Sequence, residues 1–340
     1  MNRKLLFSTS LFIFMCHLLM AQKISPLPQG PSLEDKIRIR EARTIKTQFA
    51  PSIWQGMDNT PFAILLIKDD AEYLMFHPAP ASDFKSLGYD SFLKTEIYWR
   101  PQSLNPAFLA TFPLFDQVPV IVVGTPQHTG KSSSEWIITL LHEHFHQYQM
   151  SDKHYQSAVG ELGLQGEDQS GMWMLNYPFP YEDSVIQQAF QDYAMLLSQL
   201  IQEGEKESFA NALEAYRKQR RKLKEMLPEK DYKYFSFQVW QEGIARYNEW
   251  AFLEEMKTYV PSSECQELED FISFKQVAED LYARELARLY RLNLGKGKRT
   301  AFYSIGFGEG ILLDRLNKDW KKVYLQDKFY LENYAPSEMK

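Results

Sequence analysis

The chain has few cysteines, few long hydrophobic runs and fewer basic than acidic residues. Two cysteines occur among its 340 residues, and Cys16 lies in an N-terminal segment that we expect to be removed. Since Cys265 is then the remaining cysteine, the mature chain can form neither an intramolecular disulfide nor a zinc site with several thiolates. The formal net charge of −6 disfavours nucleic acid and anionic membrane surfaces as partners.

The N-terminal segment resembles a secretory signal peptide. Arg3 and Lys4 precede an apolar run over residues 5–15, and Ala21 provides a small residue at the cleavage position. The run is too short to cross a bilayer. We therefore predict a signal peptide over residues 1–21, a mature chain without an integral membrane span, and export to the periplasm or the extracellular space.

The spacing of hydrophobic residues changes near residue 130. Before this point, runs of branched and aromatic residues follow a charged helix at 33–49 and predict strands at 62–67, 72–76, 95–99 and 118–123. After it, apolar residues three and four apart predict helices at 136–150, 183–201, 209–226, 237–257 and 265–292. The sequence thus predicts an α+β fold, with a sheet-bearing part over residues 22–130 and a helical part over residues 131–340.

Three histidines lie close together in the sequence Leu-His-Glu-His-Phe-His that ends at His146. On a helix, His142 and His146 lie on one face and one turn apart, so both can bind a single metal ion. The helix is indicated by a capping box from Ser132 to Glu135. His144 lies on the opposite face and is predicted to be a packing residue.

A hydrolytic zinc site needs three protein ligands and one open position for water. The metzincin pattern would supply a glycine and a third histidine at positions now occupied by Gln149 and Asp152, so that class is not indicated. Nearby carboxylates remain possible third ligands, namely Glu161, Glu167, Glu182 and Asp183.

A better candidate lies far downstream, in the segment Glu-Gly-Ile-Ala-Arg-Tyr-Asn-Glu over residues 242–249. This segment resembles the one that carries the zinc-ligand glutamate in gluzincin metallopeptidases, especially the aminopeptidase N-like family and its peptidase-MA relatives. The resemblance implies a zincin-like fold in which Glu242 completes a Zn²⁺ site with His142 and His146. It also implies that Glu249 supports the ligands from outside the metal shell.

The segment Tyr-Ser-Ile-Gly over residues 303–306 is similar to the family's Tyr-x-x-Gly ahead of a helix. The resemblance implies that the Tyr303 hydroxyl stabilises an oxyanion and that Glu143 acts as the general base. Exopeptidases of the family carry Gly-x-Met-Glu-Asn on the strand before the zinc helix, whereas residues 118–124 contain no acid. Aminopeptidase specificity is therefore not implied. We expect the strand at 120–124 to align an extended peptide if it is an edge strand.

These features predict an exported zinc peptidase that acts on a peptide or protein substrate. The alternative is a non-catalytic binding protein on the same scaffold, with the aromatic stretch over residues 172–181 as its recognition surface. A nucleotide-binding P-loop over residues 124–132 is disfavoured, because five residues separate its glycines where the motif needs four. Acidic residues flank the basic run at 217–224, which we expect to be a solvated helix face.

Overall fold

The computed structural model describes residues 28–168 and 170–335. The predicted signal peptide, residues 1–21, lies outside the described residues. Within them, no helix is both long enough and apolar enough to cross a membrane.

One mixed sheet of six strands forms the N-terminal part of the described chain. Its strands are β1 (Ile64–Ile67), β2 (Ala71–Met75), β3 (Lys85–Asp90), β4 (Thr95–Pro101), β5 (Leu109–Pro113) and β6 (Pro119–Gly124), in the spatial order β3-β4-β2-β1-β6-β5. Strands β1 and β6 are parallel, with Ile64 opposite Ile121, and the other neighbours are antiparallel. Strand β5 therefore lies at one edge and β3 at the other.

The sheet is apolar on both faces at its centre, because side chains alternate between the faces along each strand. Leu65, Val120 and Val122 belong to a small cluster on one face. Ile64 and Ile121 belong to the main core, which also contains the buried residues of the helices. A central strand buried on both faces explains the continuous apolar sequence Ile-Leu-Leu-Ile of β1.

Helices dominate the rest of the chain. The α-helices are α1 (Leu33–Ile53), α2 (Pro126–Thr129), α3 (Ser133–Ser151), α4 (Tyr155–Glu161), α5 (Trp173–Asn176), α6 (Ser184–Gln202), α7 (Lys206–Met226), α8 (Glu229–Gln238), α9 (Ile244–Glu255), α10 (Ser263–Gln266), α11 (Phe274–Tyr290), α12 (Leu294–Gly297), α13 (Ala301–Leu316) and α14 (Trp320–Val323). A π-helical turn, Val239–Gly243, joins α8 to α9. Short 3-10 turns occur at Met57–Asn59, Phe115–Gln117, Lys298–Thr300 and Leu331–Tyr334.

The predicted α+β class is confirmed, with a sheet in the N-terminal part and helices mostly in the C-terminal part. Two strands were not predicted. Strand β3, Lys-Ser-Leu-Gly-Tyr-Asp, is largely exposed, and β5, Leu-Ala-Thr-Phe-Pro, is short, half-buried and ends in proline. The helix predicted over 265–292 is wrong in its first part, since α10 and α11 are separate helices.

Two glycines allow the π-helical turn and α13 to touch through their backbones. A Cβ atom added at Gly306 would lie 2.4 Å from the Cα of Gly243, and one added at Gly243 would lie 2.6 Å from the Cα of Gly306. Real Cβ atoms do not approach backbone this closely, so both positions require glycine while the two elements keep this separation. The contact sets how close α13 lies to the turn.

We expect Gly306→Ala to lower the free energy of unfolding by about 1–3 kcal/mol, because the added methyl group forces the two backbones apart. Urea denaturation measures this change. The matched control is Gly160→Ala in α4, where no atom lies within 4 Å of the added methyl group. That variant should match or slightly exceed the wild type, since alanine favours helix more than glycine does. Equal stability of the two variants would contradict the close contact.

Candidate metal centre

Helix α3 presents two histidines toward the interior. It begins with the predicted capping box, in which the Ser132 hydroxyl accepts from the Glu135 N–H at 3.3 Å and the Glu135 carboxylate accepts from the Ser132 N–H at 3.0 Å. Ten residues into the helix, His142 is buried, and His146 follows one turn later with its ring centroid 5.0 Å from that of His142. Both imidazoles therefore lie on one face, as the spacing predicts.

Glu242 lies in the π-helical turn, and its carboxylate lies close to both imidazoles. Its Oε2 lies 3.5 Å from Nε2 of His146 and 3.9 Å from Nε2 of His142. Ligand atoms of a tetrahedral zinc site are separated by about 3.3–3.6 Å, as follows from bond lengths of about 2.0–2.2 Å. Two imidazole nitrogens and one carboxylate oxygen are also ligands that zinc prefers. These three residues could therefore hold a metal ion.

In each imidazole, Nδ1 is the nitrogen that faces away from the cluster, and a side-chain oxygen lies within hydrogen-bond distance of it. Nδ1 of His142 lies 2.7 Å from Oε1 of Glu249, and the other oxygen of Glu249 accepts from Arg246 at 2.8 Å. Nδ1 of His146 lies 2.7 Å from Oε1 of Gln149. The carboxylate acceptor at Nδ1 of His142 favours the tautomer in which the Nε2 lone pair is free for a metal, and the contacts at both Nδ1 atoms fix the ring orientations.

Gln149 also ties the two ligand-bearing elements together. Its amide nitrogen lies 3.2 Å from the backbone oxygen of Trp240 and 3.1 Å from that of Gln241, both in the π-helical turn. In the sequence, Gln149 stands out only as a departure from the metzincin pattern. Its position one turn after His146, on the same helix face, was the available signal that it contacts the ligand.

The charges of the metal-free centre are strongly coupled. Burial lowers the pKa of His142, but the neighbouring carboxylates of Glu242 and Glu249 outweigh it and raise this pKa to about 9. Burial raises the pKa of Glu242, but the neighbouring His146 and His142 hold it well below its usual range. For Glu249, the charge of Arg246 and the bond to His142 outweigh burial and lower the pKa to about 2. A proton on His142 thus occupies the place that a cation would take.

The affinity of the centre for a divalent metal ion, with Zn²⁺ as the probe, should rise with pH, because His142 must lose its proton before Nε2 can bind a metal. Below its pKa of about 9, His142 is mostly protonated in the metal-free protein. We expect the apparent association constant to increase by up to about tenfold per pH unit between about pH 6 and 8. Competition with a chelator of known affinity measures it at each pH. A pH-independent affinity, after correction for the chelator, would contradict the assigned protonation.

Glu143 is not part of the ligand cluster found among the described residues, and its carboxylate contacts the edge of the sheet. The Thr111 hydroxyl of β5 lies 2.9 Å from both Oε2 and the backbone oxygen of Glu143. The strand at 120–124 does not meet the condition for aligning a peptide, because β6 is not an edge strand and is paired on both sides, with β1 and with β5. The edge strand beside the candidate centre is β5, whose short sequence gives only a weak strand signal.

Tyr303 lies in α13, inside the first turns of the helix and not ahead of it. Its ring stacks parallel to that of His142, with centroids 6.4 Å apart. Its hydroxyl accepts from Nη1 of Arg299 at 2.8 Å, and the same nitrogen lies 3.9 Å from Oε1 of Glu242. Burial and the charge of Glu242 hold the pKa of Tyr303 well above its usual value. The phenol therefore stays protonated and can donate a hydrogen bond.

The other sequence candidates lie elsewhere. The carboxylate of Asp183 caps α6, and Glu182 forms an ion pair with Lys298 at 3.1 Å. Neither they nor Glu161 and Glu167 belong to the metal-ligand cluster found among the described residues. His144 is fully buried, lies 2.8 Å from the Gln147 side chain and contacts the ring of Phe62 edge to face. It is a packing residue, as predicted.

Comparison with models of known protein families, with curated proteins and with solved structures finds no match to this chain. A functional proposal therefore depends on the geometry of the candidate centre and on the motifs that form it.

Proposed function

We propose that the protein is an exported, zinc-dependent metallopeptidase of the gluzincin type with a zincin-like fold. The observation that carries this proposal is the meeting of His142, His146 and Glu242, with Glu143 adjacent to the first ligand and outside the ligand cluster. Three protein ligands leave a fourth position open for water, as a hydrolytic zinc site requires. The proposed export is supported by the sequence of residues 1–21, which resembles a signal peptide.

His142, His146 and Glu242 would hold the zinc ion, which would act as a Lewis acid and lower the pKa of a water molecule from 15.7 to about 7. Glu143 accepts a proton from the attacking water and returns it to the leaving amine. Thr111 positions the Glu143 carboxylate through the contact at 2.9 Å. Tyr303 donates a hydrogen bond to the oxyanion that develops on the scissile carbonyl.

Strand β5 is suited to align the substrate. It is an edge strand of the described sheet, and it contacts Glu143 through Thr111. An edge strand presents unpaired backbone groups, so an extended peptide can add to the sheet through main-chain hydrogen bonds. Such pairing would bring the scissile bond next to Glu143. The edge position of β5 therefore favours a peptide substrate.

The decisive experiment is Glu143→Gln in the zinc-loaded protein. We expect peptidase turnover to fall by about 10²–10⁴-fold, because the amide cannot accept the proton, while the zinc content stays near one ion per chain. Turnover on a peptide library and metal analysis measure the two quantities. Glu161→Gln, at an exposed acid of α4, is the control and should leave both unchanged. Full turnover of Glu143→Gln would rule out this base.

Tyr303→Phe tests the oxyanion role. We expect kcat to fall by about 10²–10³-fold with little change in KM, because the hydroxyl donates its hydrogen bond mainly in the transition state. Zinc affinity should be preserved, since the ring remains. Tyr290→Phe, at an exposed tyrosine of α11, is the matched control. An unchanged kcat would show that Tyr303 only packs on His142.

The rival proposal, a non-catalytic binding protein, depends on the aromatic stretch over residues 172–181. Much of this stretch is part of the core: Trp173 packs on Phe237 with centroids 5.3 Å apart, and Tyr177 stacks on Tyr234 at 4.3 Å. This packing against α8 favours the peptidase. Zinc at one ion per chain without cleavage of any library peptide would favour the binding protein.

A further inference from the structure

The basic run over residues 217–224 is only in part the solvated face expected from the sequence. Arg220 is 8% exposed, whereas Lys218 and Lys222 are exposed. Together with Arg217 and Lys224, Arg220 lies on one face of α7 and lines a cavity. The expectation of a solvated face is therefore wrong for Arg220, whereas Lys224 is exposed as expected. The acids that flank the run in the sequence do not reveal what packs against the helix.

The cavity lies between α7, α13 and the C-terminal end of the described chain, and its volume is about 270 Å³. Its apolar wall consists of leucines, namely Leu213, Leu312, Leu313, Leu316 and Leu331. Its polar wall consists mainly of cations and two acids, namely Arg217, Arg220, Arg221, Lys224, Glu309 and Glu332. It shares no residue with the metal centre.

Only some of the buried polar atoms in the polar wall have a hydrogen-bond partner. Arg220 forms ion pairs with Glu309 and, at 2.7 Å, with Glu332. Within the described chain, however, Nη2 of Arg217, Nε of Arg220 and Oε2 of Glu309 are buried without a hydrogen-bond partner. Buried polar atoms are nearly always paired, so this group of two donors and one acceptor indicates a missing partner.

We propose that this cavity binds a small apolar carboxylate that also carries an N–H donor, such as the C-terminal residue of a peptide with an aliphatic side chain. The carboxylate accepts from Arg217 and Arg220, and the N–H donates to Glu309. The aliphatic side chain contacts the leucine wall. The cavity wall contains more cationic than acidic side chains, which favours an anionic ligand. Binding at this cavity does not depend on peptidase activity.

Calorimetry on the zinc-loaded protein tests the proposal with N-acetyl-L-leucine as the probe. We expect one binding site per chain, and we expect N-acetyl-L-leucinamide to bind at least about tenfold more weakly because it lacks the charge. Equal affinity for the two compounds, or no binding of the carboxylate, would overturn the proposal.

Variants locate the site. Arg217→Gln should weaken N-acetyl-L-leucine binding by about tenfold, and Lys218→Gln, an adjacent change of the same charge on the exposed face, should not. Leu316→Trp should abolish binding by filling the cavity. Nη2 of Arg217 has no hydrogen-bond partner within the described residues, so we expect Arg217→Gln to keep the fold. Binding that survives Arg217→Gln and Leu316→Trp but is lost in His146→Ala would place the probe at the metal centre and overturn the proposal.

Discussion

The candidate metal centre depends on the contact between α3 and the segment that runs from the π-helical turn into α9. Two buried amides hold this contact at its ends. Gln149 donates to backbone oxygens of the turn, and Asn248 donates to the backbone oxygen of Leu141 at 3.1 Å while it accepts from Trp54 at 2.9 Å. Because buried polar groups are costly when unpaired, these bonds select one register between the two helices. The imidazoles and the carboxylate can meet only in that register.

Helix α3 is also oriented against the sheet by a polar side chain. The amide of Gln147 donates to the backbone oxygens of Ala63 and Pro119, each at 2.9 Å. These oxygens lie at the starts of the parallel strands β1 and β6. The same helix thus contacts the sheet through Gln147 and the π-helical turn through Gln149, two residues further on. Because Gln147 and Gln149 are two residues apart, one amide contacts the sheet and the other contacts the π-helical turn. The face of α3 that carries His142 and His146 lies toward the metal centre.

The parts of the centre that depend on local spacing could be predicted from the sequence. His142 and His146 are one turn apart on a capped helix, and this relation needs no tertiary information. Glu242 could be proposed only through a family resemblance, because no local pattern links it to a helix so far away in the chain. Thr111 and the edge strand β5 were missed, since strand order and the contact with Glu143 are set by tertiary packing.

The contact between Gly243 and Gly306 has a mechanical consequence. Glu242 precedes one of these glycines, and Tyr303 lies one turn before the other. No side chain separates the two backbones, so no rotamer change can alter their spacing. The backbone segments that carry Glu242 and Tyr303 are therefore held at one spacing by this contact. Flexibility needed to admit or release a ligand must then come from other walls of the site, such as the side formed by β5.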